Sequence, residues 1–329
     1  MLGINSVAKT INSWKAGKFM PLTMRSRSVN NYALSKAWFR CGTVDFRECD
    51  IQALNKSVKS WLYADLLQKP SEAIMCRPIH HGGLGVYSIR NRAKATLIRT
   101  FLETSANPNF RQSLLHSKMY RYHVLGDTSL PDPGFLLCYP PSFFDIIRKV
   151  PQETSFNVST MSIKEWSKYL TEETLTMETS NTNTRQLRPC YAESLCPDTD
   201  WALSWRLCRL AGLGSELTSF NFKLQHRLLV TRERMNQLSP VTSPLCCLCA
   251  TGSNEDLQHA FIHCVFNQGV GQQLLAIVQE HLPATSAQSL LCLELPLPED
   301  KEFAVTFFTS TILSHIWSKR MAKSRTSWG

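Results

Sequence analysis

The residues with the clearest chemistry lie in one short stretch: Cys246, Cys247 and Cys249, followed by His259, His263 and Cys264. Taking Cys246, Cys249, His259 and Cys264 gives the spacing C-x2-C-x9-H-x4-C. Two cysteines three apart can clamp one ion from a tight knuckle. A histidine and a cysteine five apart can reach the same ion from a helix end whose last turn unwinds. Three thiolates and one imidazole fill a tetrahedron and leave no open position, so the spacing predicts one structural Zn2+ rather than a catalytic one. Cys247 is set aside because pairing it with Cys249 leaves a single intervening residue. His263 is the alternative imidazole, but its neighbour Cys264 would compete for the same position. Cys-x-x-Cys alone also occurs in redox motifs, and the competing reading is a reduced thiol-rich loop without metal.

No other cluster has the pattern of an active site. In His80-His81-Gly82-Gly83-Leu84-Gly85-Val86 no Lys-Ser/Thr follows the glycines, so the run is a tight turn and not a phosphate loop. An extended backbone would send His80 and His81 to opposite faces. Tyr63-Ala64-Asp65-Leu66 reads as the surface of an amphipathic helix. Trp201 and Trp205, four apart, read as core rather than as a base-stacking platform. Cys41, Cys76, Cys138, Cys190, Cys208 and Cys292 stand among apolar residues and read as small buried hydrophobes. No catalytic residue is assigned.

Charge supplies the second signal. Residues 1–100 hold 16 Lys/Arg against 5 Asp/Glu, whereas the remainder holds 20 against 21. A basic excess confined to one third favours a polyanion, most simply nucleic acid phosphate. The candidate contacts are Arg25, Arg27, Lys36, Arg40, Arg90, Arg92, Lys94 and Arg99. A solvated basic face is the competing reading. A hydrophobic content of 43% with 19% charged residues describes a folded chain. No apolar run approaches the roughly 18 residues of a membrane helix and no signal-peptide core is visible, so the chain reads as soluble and intracellular, nucleus or cytoplasm left open.

The elements that must position these residues are mainly α. Periodicity predicts helices over about 3–15, 22–40, 48–67 and 88–104. Pro21 marks the start of the second, and Ile51, Leu54, Val58, Trp61, Leu62 and Leu66 form the apolar face of the third. Shorter helices are expected near 108–123, 141–149 and 161–178, then a flexible polar linker around 179–198. Asp198 is the expected cap of a helix carrying Trp201, Trp205, Leu207 and Leu210. Helices near 215–228, 231–238, 267–281 and 300–323 complete the chain around the cysteine cluster.

Two runs resemble the C-terminal portion of reverse transcriptases from non-LTR (LINE-type) retrotransposons. The first is Leu34-Ser35-Lys36-Ala37-Trp38-Phe39, the helix containing Trp61, then Arg77-Pro78-Ile79 and Gly82-Gly83-Leu84-Gly85. The second runs from Trp205 through Asn221-Phe222-Lys223, Arg227-Leu228 and Thr231-Arg232-Glu233-Arg234-Met235. It continues with Pro244-Leu245-Cys246 and Glu255-Asp256-Leu257-Gln258-His259-Ala260-Phe261-Ile262-His263-Cys264. The resemblance implies a basic thumb-like region over 1–104, a helical connector with a polar linker over 105–197, and a helical region over 198–329. That last region contains the zinc module, about 244–266. It also implies RNA or DNA as partner, with the palm and fingers expected to precede residue 1. Polymerases of this kind hold two metal ions on paired palm aspartates. Leu66 stands where the second aspartate of Tyr63-Ala64-Asp65 would be, so the expectation is a catalytically incomplete, nucleic-acid-binding fragment. The alternative is a zinc-stabilised structural or protein-interaction module.

Overall fold

The computed structural model describes residues 2–14, 20–41, 46–64, 66, 69–105, 162–178, 185–187, 190–249, 251–267 and 269–326. The protein is mainly helical. Helix α1 (Leu2–Ser13) precedes α2 (Leu22–Ser28), a π-helical turn (Val29–Ala33) and α3 (Ser35–Cys41). Then come α4 (Glu48–Leu62), α5 (Glu72–Cys76), a 3-10 turn (Ile79–His81) and α6 (Ile89–Ser105). After α7 (Ile163–Leu175) a two-stranded antiparallel ribbon pairs β1 (Thr176–Glu178) with β2 (Arg185–Leu187). The chain continues with α8 (Tyr191–Leu195), α9 (Trp201–Leu207), α10 (Ser215–Gln225) and α11 (Arg232–Leu238). A second π turn (His259–His263) leads to α12 (Val270–His281), α13 (Ala287–Leu291) and α14 (Glu299–Thr326).

The predicted helices over 108–123 and 141–149 fall outside the described residues, as does Cys138. Of the expected flexible linker, 190–198 is folded: α8 stands there, and its Glu193 side chain accepts from the Cys190 backbone N–H at 2.6 Å. Asp200, not Asp198, caps α9, its Oδ1 accepting from Leu203 N at 3.1 Å. The third predicted helix ends at Leu62, five residues early. Tyr63 is therefore not on a helix surface but is fully buried at the helix end. The side chain of Asp65 is outside the described residues.

Among the described residues, the two largest hydrophobic clusters organise the packing. The first gathers Val7, Ile11, Val29, Leu54, Val58 and Leu62 with neighbours from α1 to α6. The second gathers Leu257, Phe261, Ile262, Leu274, Leu291 and Leu313. Helix α10 belongs to both: Phe222 enters the first and Leu224 the second. Residues two apart on a helix point roughly 200° apart, which lets one helix serve cores on opposite sides.

The glycine turn after α5 is where C-terminal elements meet the N-terminal region. A Cβ on Gly83 would stand 1.9 Å from the Arg77 carbonyl oxygen, so only glycine fits. Gly82 adopts φ +80° and lies flat under the Trp205 indole. Trp205 stacks between Trp201 and His226, at centroid distances of 4.8 and 4.9 Å. The core reading of this tryptophan pair holds. His80 and His81 stand on the exposed 3-10 turn with ring centroids 4.3 Å apart, not on opposite faces of an extended segment.

Candidate metal centre

The knuckle of the site is a narrow hairpin. Leu245 and Asn254 form an antiparallel bridge, Cys246 N donates to Ser253 O at 3.0 Å, and Gly252 adopts φ +66°. This closure turns Cys246 and Cys249 toward the same point. The other two ligands flank the second π turn. On an ordinary α-helix, residues five apart stand about 140° from each other around the axis. Here Cys264 N donates to His259 O at 2.8 Å, and this wider turn brings both side chains to one side. Asp256 Oδ1 accepts from His259 N at 2.6 Å and holds the start of the turn.

Cys246, Cys249, His259 and Cys264 present ligand atoms that all lie within 4.8 Å of one another. Cys246 Sγ and Cys264 Sγ are 3.8 Å apart, and Cys249 Sγ is 3.3 Å from His259 Nε2. A tetrahedral ion with metal–sulfur bonds of about 2.3 Å needs a sulfur–sulfur edge of about 3.8 Å. The residues present therefore fit a tetrahedral metal ion. Cys247 and His263, the rejected alternatives, are both exposed. Among the described side chains, those of ten cysteines are free thiols.

The two knuckle thiols differ in their electrostatics. Burial pushes the Cys246 thiol well above its ordinary value, against hydrogen bonds from Leu248 N–H and Arg320. Burial also opposes ionisation of Cys249, but its hydrogen bonds to the Thr251 side chain and backbone, Cys246 and His259 prevail and hold its thiol below the ordinary value.

A layer that no spacing motif signalled surrounds the ligands. Arg320 of α14, only 2% exposed, donates from Nη2 to Cys246 Sγ at 3.1 Å and from Nη1 to Cys264 Sγ at 3.4 Å. The same Nη2 stands 2.5 Å from Glu255 Oε2. Glu255 Oε1 accepts from Arg232 N at 3.4 Å, and the Glu255 backbone bonds both Pro244 and Glu233.

No protein-family model and no curated protein matches this sequence.

The basic candidates divide differently. Arg25 is a correction: it is 2% exposed, donating from Nε to Met20 O and from Nη1 to Leu62 O, both at 2.8 Å. Leu62 is the last residue of α4, so the guanidinium satisfies an orphan carbonyl at a helix C-terminus instead of facing solvent. Arg92 lies over the Tyr87 ring at 4.8 Å and the Trp38 ring at 6.0 Å. Arg90 pairs with Glu48 and Arg99 with Glu103, both at 2.6 Å. Arg27 and Lys36 are exposed, Lys36 Nζ donating to Thr10 Oγ1 at 2.7 Å, and Lys94 is half-buried. The Arg40 side chain is outside the described residues.

Cations that the sequence reading passed over converge elsewhere. Lys56, Lys59 and Lys69 line a groove of about 810 Å³ together with Arg90, Trp14 and Trp61. Trp14 and Trp61 meet at a centroid distance of 4.8 Å, tilted by 56°. Lys56 and Lys59, three apart on α4, share a helix face, which is the signal that could have found them.

Proposed function

We propose that this chain is a catalytically incomplete, retroelement reverse-transcriptase-like unit that binds nucleic acid through its basic N-terminal region and holds one structural Zn2+. The observation that carries the binding reading is the groove where Lys56, Lys59 and Lys69 converge beside Trp14 and Trp61. Ammonium groups attract phosphates without reading sequence, and indole edges offer apolar contact to sugars or bases. Glu48 and Glu72 line the same groove, so the cationic margin is modest. The basic surface is therefore narrower than the candidate list, since Arg25 and Arg92 are engaged inside the protein.

Zinc is the ion this donor set favours. Thiolates and an imidazole in a closed tetrahedron suit a soft-to-borderline d10 ion, and oxygen-seeking cations have no ligand here. Bound zinc would keep the thiolates ionised and tie the hairpin to the π turn. With cysteines free, a reducing intracellular compartment, nucleus or cytoplasm, fits the reading. No helix among the described residues is long and apolar enough to cross a membrane.

A second reading, a zinc-stabilised structural or protein-interaction module, is favoured by the internal engagement of Arg25, Arg90, Arg92 and Arg99. One pair of measurements separates the two. Elemental analysis of purified protein should find one zinc, and fluorescence anisotropy with single-stranded RNA and duplex DNA should find affinity that falls steeply with salt. Zinc without nucleic-acid binding at low salt would leave the second reading standing.

A further inference from the structure

The geometry points to Arg320 as the positioning residue of the metal centre: its guanidinium bonds two ligand thiolates and makes the docking of α14 depend on the bound ion. This inference rests on the metal reading above. Arg320 follows Cys264 by 56 positions and Cys246 by 74, yet it reaches both sulfurs and Glu255 at once. Three thiolates around a dication carry one net negative charge, so the guanidinium sits between two anions, the cluster and Glu255. Its planar fork of five N–H donors is the side chain that can serve three acceptors from one buried place. A lysine ammonium is a compact point charge on a flexible stem and cannot span them in the same way.

Two consequences follow from the chemistry. N–H···S bonds from the guanidinium offset the net negative charge of the cluster, which favours metal-bound thiolates over release of the ion, and they lower the reactivity of the sulfurs toward electrophiles. Outer partners of metal ligands commonly alter affinity about 10–100-fold. In the other direction, without the ion the hairpin carrying Cys246 and the turn ending at Cys264 lose the link that fixes their sulfurs 3.8 Å apart, the spacing the guanidinium spans. Loss of the ion therefore weakens the bonds that hold the C-terminal half of α14, where Trp317 stacks on Phe261 at 5.7 Å. The metal state of the knuckle is thereby transmitted to a helix far away in sequence.

The test uses the full chain with cobalt(II) as a spectroscopic probe and zinc as the retained ion. Arg320→Gln and Arg320→Lys are expected to lose zinc to a chromophoric chelator at about 10–100-fold lower chelator concentration than wild type. Their sulfur-to-cobalt charge-transfer band should move to longer wavelength, which a merely structural role for the helix would not produce. Glu255→Gln, which leaves the N–H···S bonds in place, should keep the band. In wild type, chelation should expose α14 to trypsin at Lys319, Arg320 and Lys323 while the fold elsewhere persists. Folded Arg320 variants with unchanged band and unchanged retention would overturn the inference. So would an α14 that stays protected in chelated wild type, which decides the matter if neither variant folds. Wild type that takes up neither ion would instead overturn the metal reading itself.

Discussion

His226 Nε2 lies 2.7 Å from the carbonyl oxygen of Gly82, a hydrogen bond that spans 144 positions of the chain. The carbonyl can only accept, so Nε2 carries the proton in the neutral ring. Burial depresses the imidazole from 6.5 to about 4, with Arg209 and Arg77 adding to the shift while the Gly82 bond and Glu193 oppose it. The unfolded chain therefore takes up a proton that the folded protein resists. The stabilisation is complete above pH 6.5 and is lost progressively as pH falls toward 4. At pH 5 the loss amounts to about 2 kcal/mol. Urea unfolding of wild type and His226→Gln between pH 5 and 7.5 should give curves that converge as pH falls. Any pH dependence shared by the two proteins cancels, so the difference between the curves isolates His226. Parallel curves would refute the account.

The same junction contains a buried ion pair. Arg77 Nη2 is 2.9 Å from Glu193 Oε1, with side chains 8% and 13% exposed. Trp205 Nε1 donates to the same carboxylate oxygen at 3.1 Å. Removing one partner of a buried pair leaves an uncompensated charge and costs about 3–5 kcal/mol. Glu193→Gln should destabilise by about that amount in urea. The loss should persist in 1 M salt, because a pair excluded from solvent is little screened. A loss that salt abolishes would mean a solvent-exposed pair.

The longer helices were legible because apolar residues recur every three to four positions, whereas the five-residue helices α5, α8 and α13 are too short to show that period. The grouping of Cys246, Cys249, His259 and Cys264 was legible because a knuckle imposes a fixed spacing on two cysteines. What escaped the sequence depends on chain segments far apart. Arg25 looks like any surface arginine until α4 ends beside it and offers the Leu62 carbonyl. Arg320 has no spacing relation to Cys246, and only the packing of α14 unites them. The π turns were partly foreseeable: His-x4-Cys required an unwound helix end, but nothing local marked Val29–Ala33. There Asn30 turns outward from the helix and bonds Gly85 O and Tyr87 N at 2.9 and 3.0 Å, a demand set by the segment that follows the glycine turn, 55 residues later. The cap at Asp200 instead of Asp198 reflects a boundary that two nearby aspartates leave ambiguous in sequence.

If the groove beside Trp14 and Trp61 binds nucleic acid, its lysines and the buried arginine should behave oppositely. Lys56→Gln, Lys59→Gln and Lys69→Gln should each weaken binding to all sequences alike and reduce the slope of log affinity against log salt by about 1. Their melting temperatures should stay near wild type, since Lys56 and Lys69 are exposed and Lys59 is only half-buried. Arg25→Gln should instead lower stability by about 2 kcal/mol, the cost of orphaned buried carbonyls, with the salt slope of the folded protein unchanged. Anisotropy titrations across a salt series, beside thermal melts, check both. An unchanged slope in all three lysine variants would move the binding surface away from this groove.

The tightest coupling of ligand to core lies in the second π turn. His259 and Cys264 bracket Ala260, Phe261 and Ile262, all of which are at most 2% exposed. The turn that brings His259 and Cys264 to the candidate metal site thus also inserts Phe261 against Phe220 and Trp317, at centroid distances of 6.4 and 5.7 Å. Neither job can be done by a different backbone path, because Cys264 N–H closes on His259 O. A substitution in the core should therefore reach the metal although it touches no ligand. Phe261→Ala should cost about 3–5 kcal/mol of stability and loosen the turn. Competition with a chromophoric chelator should then find zinc held at least about tenfold more weakly, in the range of outer-layer effects on metal sites. Phe222→Ala removes an equal side chain from the other core and should leave zinc affinity unchanged. Equal effects of the two substitutions on zinc would mean that general stability, and not the π turn, governs retention of the ion.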